Sequence, residues 1–336
     1  MNLNNKLFDE YKPKGNITGI TDLWDLPYNL VYIQLNDDFK SKFKEILLKK
    51  GKTKKYISLY ARVPFHEVMN FFNGQSKSLA FFEKMINFLY VHDYFKISHE
   101  TIMDNIMKIG TKTNGKFIYS PKFPINFNCP EGAVLISAIL HDGGLIKEPL
   151  LYPFYRNYNK RLRLNLIEKS ISLIGNMKIN LEDTHPNFPK ILGIILKYGI
   201  GICDGPKTIS NQKIPEFIID SDDIVKGEFL RQAFDDDGSV YIRKDSNGGR
   251  VIDLTNTIDV KKDKTSNLLL DNKKLLNSLG IKVKGPIFKR EYKTKKGETK
   301  HTYKIFITYK KDFKIFKEKI GFISEEKQKK LNRIVI

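Results

Sequence analysis

Phe229 to Val240 reads FLRQAFDDDGSV, an apolar helical segment that runs into three consecutive aspartates and then a glycine. Carboxylates this close repel, and stripping water from any of them is costly unless a cation or hydrogen bonds compensate. The arrangement therefore calls for a use. Upstream, Ala133 to Leu145 reads AVLISAILHDGGL, a second apolar helix that also ends in an acid and a glycine. Setting Asp142-Gly143 over Asp237-Gly238 puts Leu135 over Leu230, Ser137 over Gln232 and Ala138 over Ala233. One Asp-Gly after a helix is a stop and turn; two in register indicate an internal repeat.

The pattern continues after each acid. Following Asp237, Val240 to Ile242 begins a strand, Asn247-Gly248-Gly249 is a turn, and VIDLTNTIDV alternates with Ile252, Leu254, Ile258 and Val260 on one face. Leu268, Leu269, Leu275, Leu276 and Leu279 show helical spacing closed by Gly280, and FKREY and YKIFITY flank a second turn at KKGE. Phe313, Phe316 and Ile320 mark a last helix. The earlier copy keeps a first hairpin (Gly144 to Asn157) and a helix (Leu162, Leu166, Ile167, Ile174), but Met177 to Glu182 is its one obvious strand thereafter.

Two helices ending in Asp-Gly, each followed by a ββαββα succession, resemble the two-motif LAGLIDADG homing endonucleases over about Asn128 to Leu331. FLRQAFDDDGSV is close to the second motif of that family, LISAILHDGGL is a looser first motif, and IGFISEEKQKKL is similar to the segment that closes such a domain. The resemblance implies an α+β fold: a pseudosymmetric pair of αββαββα LAGLIDADG repeats, the first shortened, spanning 128–225 and 226–332. It also implies a monomeric, site-specific endonuclease of double-stranded DNA that hydrolyses phosphodiesters with Mg²⁺ or Mn²⁺.

Residues three or four apart share a helix face, so Leu135, Ala138 and Ile139 can meet Leu230, Ala233 and Phe234 across a helix pair. Asp142 and Asp237 then converge, and two carboxylates a few ångström apart need a cation between them. Hard oxygen ligands on a partly open site suit Mg²⁺. Asp142 and Asp237 are the expected ligands, one per DNA strand, with the backbone carbonyls of His141 and Asp236 as helpers. Lys207 in GPKT and Lys327 in EEKQ match each other by position, and they resemble the basic active-site residue of the family, which stabilises charge on the phosphate or polarises the attacking water. His141 and Asp235 can equally cap or bond locally. Gln232 stands where the family usually has glycine, which predicts helices held slightly further apart. A calcium loop is excluded because Gly238 follows three residues after Asp235 and Ser246 takes the place of the required Glu.

The remaining signals concern partners. With 58 Lys and Arg against 38 Asp and Glu, the chain carries a formal net charge of +20, the footprint of a polyanion binder. Two cysteines, Cys129 and Cys203, exclude a disulfide framework or a four-cysteine zinc site, and no apolar run is long enough for a membrane span. A soluble cytoplasmic protein is the expectation. In the second repeat Lys282, Lys284, Lys289, Arg290, Lys293, Lys295, Lys296, Lys300 and Lys304, with Arg243, form the expected DNA-contact set. Ahead of the repeats come an unassigned segment (1–37), a helical domain (38–95) and a hairpin and linker (96–127). Asp38 to Leu89 resembles the Cro/repressor helix-turn-helix, with Phe65 to Phe72 as the reading helix and His66, Asn70 and Asn73 facing a major groove. That module, Gln232 and the trimmed copy suit an alternative: a non-catalytic DNA-binding transcriptional regulator that retains the LAGLIDADG scaffold.

Overall fold

The computed structural model describes residues 18–94, 96–112, 115–242, 249–259, 265–295 and 297–335. Arg243, Lys296, Asn247-Gly248 and Val260 lie outside them. The N-terminal region begins with β1 (Ile20–Thr21) and β2 (Tyr32–Leu35), then α1 (Asp37–Gly51), α2 (Lys54–Tyr60) and α3 (Phe65–Phe72). Asn36 caps α1 by accepting the Phe39 N–H at 2.8 Å, and Thr53 caps α2 by accepting that of Tyr56 at 3.1 Å. After β3 (Lys77–Ser78) and α4 (Leu79–Val91), the rings of Phe43, Phe71 and Phe82 meet at centroid distances of 5.7 to 6.3 Å, so α1, α3 and α4 share one aromatic core. His66 and Asn73 are exposed and Asn70 is half-buried on α3.

α5 (His99–Met103), β4 (Ile106–Gly110), β5 (Ile118–Tyr119) and β6 (Ile125–Asn126) follow, and β4 and β5 form the expected hairpin. The stretch expected as the first repeat contains α6 (Pro130–Leu140), β7 (Gly143–Leu145), β8 (Pro153–Tyr155), α7 (Lys160–Ile174) and β9 (Asn176–Met177). β7 and β8 pair with each other, whereas β9 joins an antiparallel sheet of order β3-β2-β4-β5-β9. That sheet spans residue 128, so the N-terminal region and the first repeat share it. Short helices α8 (Lys190–Ile194, continued by a π turn over Ile195–Gly199), α9 (Lys207–Ser210) and α10 (Glu216–Ile219) complete the first repeat.

The stretch expected as the second repeat is fuller: α11 (Asp223–Asp237), β10 (Gly238–Ile242), β11 (Arg250–Asp259), α12 (Asn267–Ser278), β12 (Lys284–Lys293), β13 (Thr299–Ile307), α13 (Lys310–Lys319) and α14 (Glu325–Val335). Its sheet has the order β10-β11-β13-β12, all antiparallel. The register sets Ile252 opposite Ile307 and Leu254 opposite Ile305, and with Val240 these buried side chains form its core face. Every residue of α6 from Gly132 to Leu140 is buried, the signature of a helix enclosed on all sides. α6 packs along α11, and the Ser137 hydroxyl donates across the seam to the Phe229 carbonyl at 2.8 Å. No helix among the described residues is long and apolar enough to cross a membrane.

Candidate active site at two helix ends

α6 and α11 deliver their acids differently. Asp237 is the last residue of α11, and the Gly238 N–H closes the helix on the Phe234 carbonyl. α6 ends at Leu140, so Asp142 sits in the turn beyond, ahead of β7. Both acids are recessed. Burial pushes the Asp237 carboxyl up to about 7, with the Asp142 charge adding to the shift and Lys207 and Lys327 opposing it. Asp142 is raised as well, chiefly by burial, against the lowering effects of Lys207, the Asn157 amide and Lys327. The Asp142 charge acts on Asp237, and Lys207 and Lys327 act on both, so the ends of α6 and α11 form one electrostatic site.

The two lysines arrive at the same place by unlike routes. Lys327 Nζ, near the start of α14, donates to the carbonyls of Phe234 at 2.9 Å and Asp235 at 2.5 Å, the last turn of α11. Lys207 Nζ donates to the His141 carbonyl and, at 3.3 Å, to that of Leu140. Cations at helix C-termini complement the unpaired carbonyls there. Burial pushes both ammonium groups below the usual lysine range, while Asp142, Asp236 and Asp237 pull them back up.

The two expected helpers, His141 and Asp236, sit in different surroundings. The His141 carbonyl is occupied by Lys207, and the buried ring of His141 donates from Nδ1 to the Ser137 carbonyl at 2.8 Å. Burial drives that imidazole down to about 3, so it is neutral at neutral pH. Asp236 contributes its side chain to a network: its carboxylate accepts from Tyr155 Oη at 2.6 Å, Gln232 Nε2 at 3.0 Å and Asn157 Nδ2 at 3.3 Å. Burial and the Asp142 charge raise Asp236 well above its ordinary range. Gln232 is thus fully buried as a donor to Asp236 and to the Tyr155 hydroxyl (3.1 Å). Tyr155 and Asn157 carry no sequence signal of their own; their roles follow from the turn that returns β8 to the end of α6.

Asp235 has a separate use. Its carboxylate accepts the N–H groups of Ile323 at 2.7 Å and Ser324 at 3.0 Å, which anchors the approach to α14 and hence Lys327.

Asp142 and Asp237 fit a hard divalent cation in one respect and leave it open in another. No protein hydrogen bond reaches the Asp237 carboxylate among the described residues, and one oxygen of Asp142 is likewise uncommitted, so acceptor capacity is available. Among the described residues there is no group of three or more His, Cys, Asp or Glu side chains able to hold a metal. The rest of a coordination shell would therefore come from water and substrate oxygens, the usual habit of Mg²⁺.

Residues 225–321 match a LAGLIDADG-like domain. This LAGLIDADG-like domain runs from α11 into the α13–α14 link and so contains Asp237. No curated protein matches the chain. Solved structures of mesophilic variants from the homing endonuclease I-DmoI are 15% identical, with a TM-score of 0.30 over 58% of this chain and 97% of theirs. The crystal structure of I-DmoI in complex with DNA and Ca is 16% identical, with a TM-score of 0.32 over 56% and 87%.

The LAGLIDADG-like domain also carries the basic surface. Lys282, Lys284, Lys289, Arg290, Lys293 and Lys295 are exposed on and beside β12, and Lys304 is half-buried on β13. Lys300 departs from the expectation: it is buried, pairing with Asp259 at 3.0 Å and Glu298 at 3.3 Å. The register sets it directly opposite Asp259, which neutralises it in place.

Proposed function

We propose that this chain is a site-specific endonuclease of double-stranded DNA. The observation that carries the reading is the convergence of Asp142 and Asp237 at two packed helix ends, each with a lysine bonded to the carbonyls of its turn. Like-charge repulsion in a recessed site creates a demand for a cation, and a bound Mg²⁺ or Mn²⁺ would supply Lewis-acid stabilisation of the attacked phosphate and leaving oxygen. Asp142 and Asp237 would hold that ion. Lys207 and Lys327, fixed by carbonyls within reach of the acids' field, would oppose charge developing on the phosphate. The exposed lysines of β12 would follow the DNA backbone, and Lys304 would lie nearer the bases. One chain holds both acids, so a monomer suffices.

The test is a cleavage selection on a randomised duplex library in Mg²⁺. The wild-type chain should yield cut duplexes, and Asp142→Asn or Asp237→Asn should abolish double-strand cutting while leaving DNA binding in place. Tight binding without any cutting in Mg²⁺ or Mn²⁺ would defeat this reading. A second reading, a DNA-binding regulator on the same scaffold, draws on α3 and the residue that ends it, where exposed His66 and Asn73 suit base edges; in that case both Asn variants repress or bind as well as wild type.

A further inference from the structure

Asn157 stands between β8 and α7, and its side-chain amide has one orientation available. Oδ1 accepts the Asn159 N–H at 2.9 Å, so the NH₂ group must face the other way. There Nδ2 donates to Oδ2 of Asp142 at 2.9 Å and to Oδ1 of Asp236 at 3.3 Å. The buried Arg163 secures the backbone beneath, its Nη1 donating to the carbonyls of Asn157 at 2.8 Å and Tyr158 at 2.9 Å.

Asp236 is immobilised in turn. Gln232 Nε2 lies 3.0 Å from each of its oxygens, and Tyr155 Oη lies 2.6 Å from one of them. Tyr155 and Gln232 are themselves fully buried. A continuous chain of hydrogen bonds, with Asp236 as the shared acceptor, therefore runs from the protein interior to one oxygen of Asp142. Nothing comparable reaches Asp237 among the described residues. Aligning an acid in advance saves the cost of ordering it when substrate binds.

We propose that Asn157 is a positioning residue for Asp142, anchored through Asp236, and that the two acids consequently serve the two DNA strands unequally. This rests on the nuclease reading above. Removing the amide leaves Asp142 free to rotate away from its productive pose, and partners of this kind cost about 10- to 100-fold when lost.

The experiment is single-turnover cleavage of a duplex carrying a different dye on each strand, in Mg²⁺, with saturating enzyme. The strand assigned to Asp142 is the one whose cutting falls most in Asp142→Asn. Asn157→Leu should slow that strand about 10- to 100-fold and leave the other nearly unchanged, a split that general misfolding does not produce. Tyr155→Phe, which keeps the core shape and removes one donor to Asp236, should give a smaller effect on the same strand and serves if Asn157→Leu does not fold. A second readout needs no catalysis: the rise in melting temperature caused by Ca²⁺ in the presence of duplex should shrink in Asn157→Leu. Equal slowing of both strands, or of neither, overturns the proposal. Should wild type cut neither strand, the nuclease reading fails, and a Ca²⁺ response in Asn157→Leu equal to that of wild type overturns the positioning role as well.

Discussion

In the second repeat the position two residues before the terminal acid is Asp235, whose carboxylate ties down Ile323 and Ser324 and so sets Lys327. In the first repeat the corresponding residue is Leu140, buried, with no such capability. Lys207 reaches its helix end by another path: the Gly205 N–H donates to the Leu145 carbonyl at 2.8 Å, tying the turn before α9 to the end of β7. The acids show the reverse asymmetry, since Asp142 is held by Asn157 and Asp237 is not. Each half thus secures a different member of its acid and lysine pair, and a common geometry emerges from unlike supports.

The largest effects should come from breaking that common geometry. Lys207→Met and Lys327→Met each remove a charge while keeping most of the apolar stem, and each should lower the cleavage rate about 10²- to 10³-fold with little change in duplex affinity. Rates under single-turnover conditions beside binding isotherms separate the two. A proportional loss of affinity in either variant would make that lysine a DNA-backbone contact instead.

The unanchored acid should also make itself felt in stability. The folded-state pKa of Asp237 is raised to about 7, so the stability linked to its neutral form is present below the ordinary carboxylate range and is lost as pH rises through about 7. Holding it ionised above that pH costs roughly 1.4 kcal/mol per pH unit of elevation, or about 4 kcal/mol. Urea denaturation without divalent ions, at pH 4 to 9, should find Asp237→Asn overtaking wild type as pH rises, with Mg²⁺ and duplex closing the gap. A pH-independent difference between the two would mean that Asp237 faces solvent.

Much of this was legible in the chain because the signals are local. Apolar spacing marks α6 and α11, alternation marks β11 and β13, and the repeated Asp-Gly marks the two helix ends. What escaped depends on contacts between distant residues. β2 is short and lies in the unassigned N-terminal segment, β3 is two residues long at the start of α4, and β9 pairs with β5 across what reads as a domain boundary. Tyr155 and Asn157 matter because the turn after β8 brings them under Asp236. Gln232 breaks the small-residue rule at the helix crossing, yet its length lets it satisfy a buried acid, a gain no pattern of spacing reveals. Lys300 resembled its neighbours in a charge run until the strand register set it against Asp259.

The two supports can be exchanged. Asp235→Leu copies the first repeat into the second and strands the N–H groups of Ile323 and Ser324, which should cost about 2 to 3 kcal/mol and loosen Lys327. Leu140→Asp makes the reverse exchange and places a carboxylate where no loop waits for it, so it should destabilise more than it organises. Chemical denaturation gives both values. If Asp235→Leu were neutral, the loop before α14 would have to be held by packing of Phe322 and Leu331 instead.

The smallest expected effect separates two lysines that a charge count treats alike. Lys289 is exposed on β12, so as a phosphate contact it releases about one counterion on binding. Lys289→Ala should therefore reduce the slope of log affinity against log salt by about 0.9. Lys300 already spends its charge on Asp259 and Glu298. Lys300→Met should leave the slope nearly unchanged and instead destabilise the β11–β13 pair, because the half-buried Asp259 loses the Lys300 ammonium. Titrations of one duplex at four or more salt concentrations, beside a denaturation curve for each variant, distinguish the two. Equal slope changes would mean that Lys300 leaves Asp259 when DNA arrives, and the sheet would then present one more cation to the backbone than its free state does.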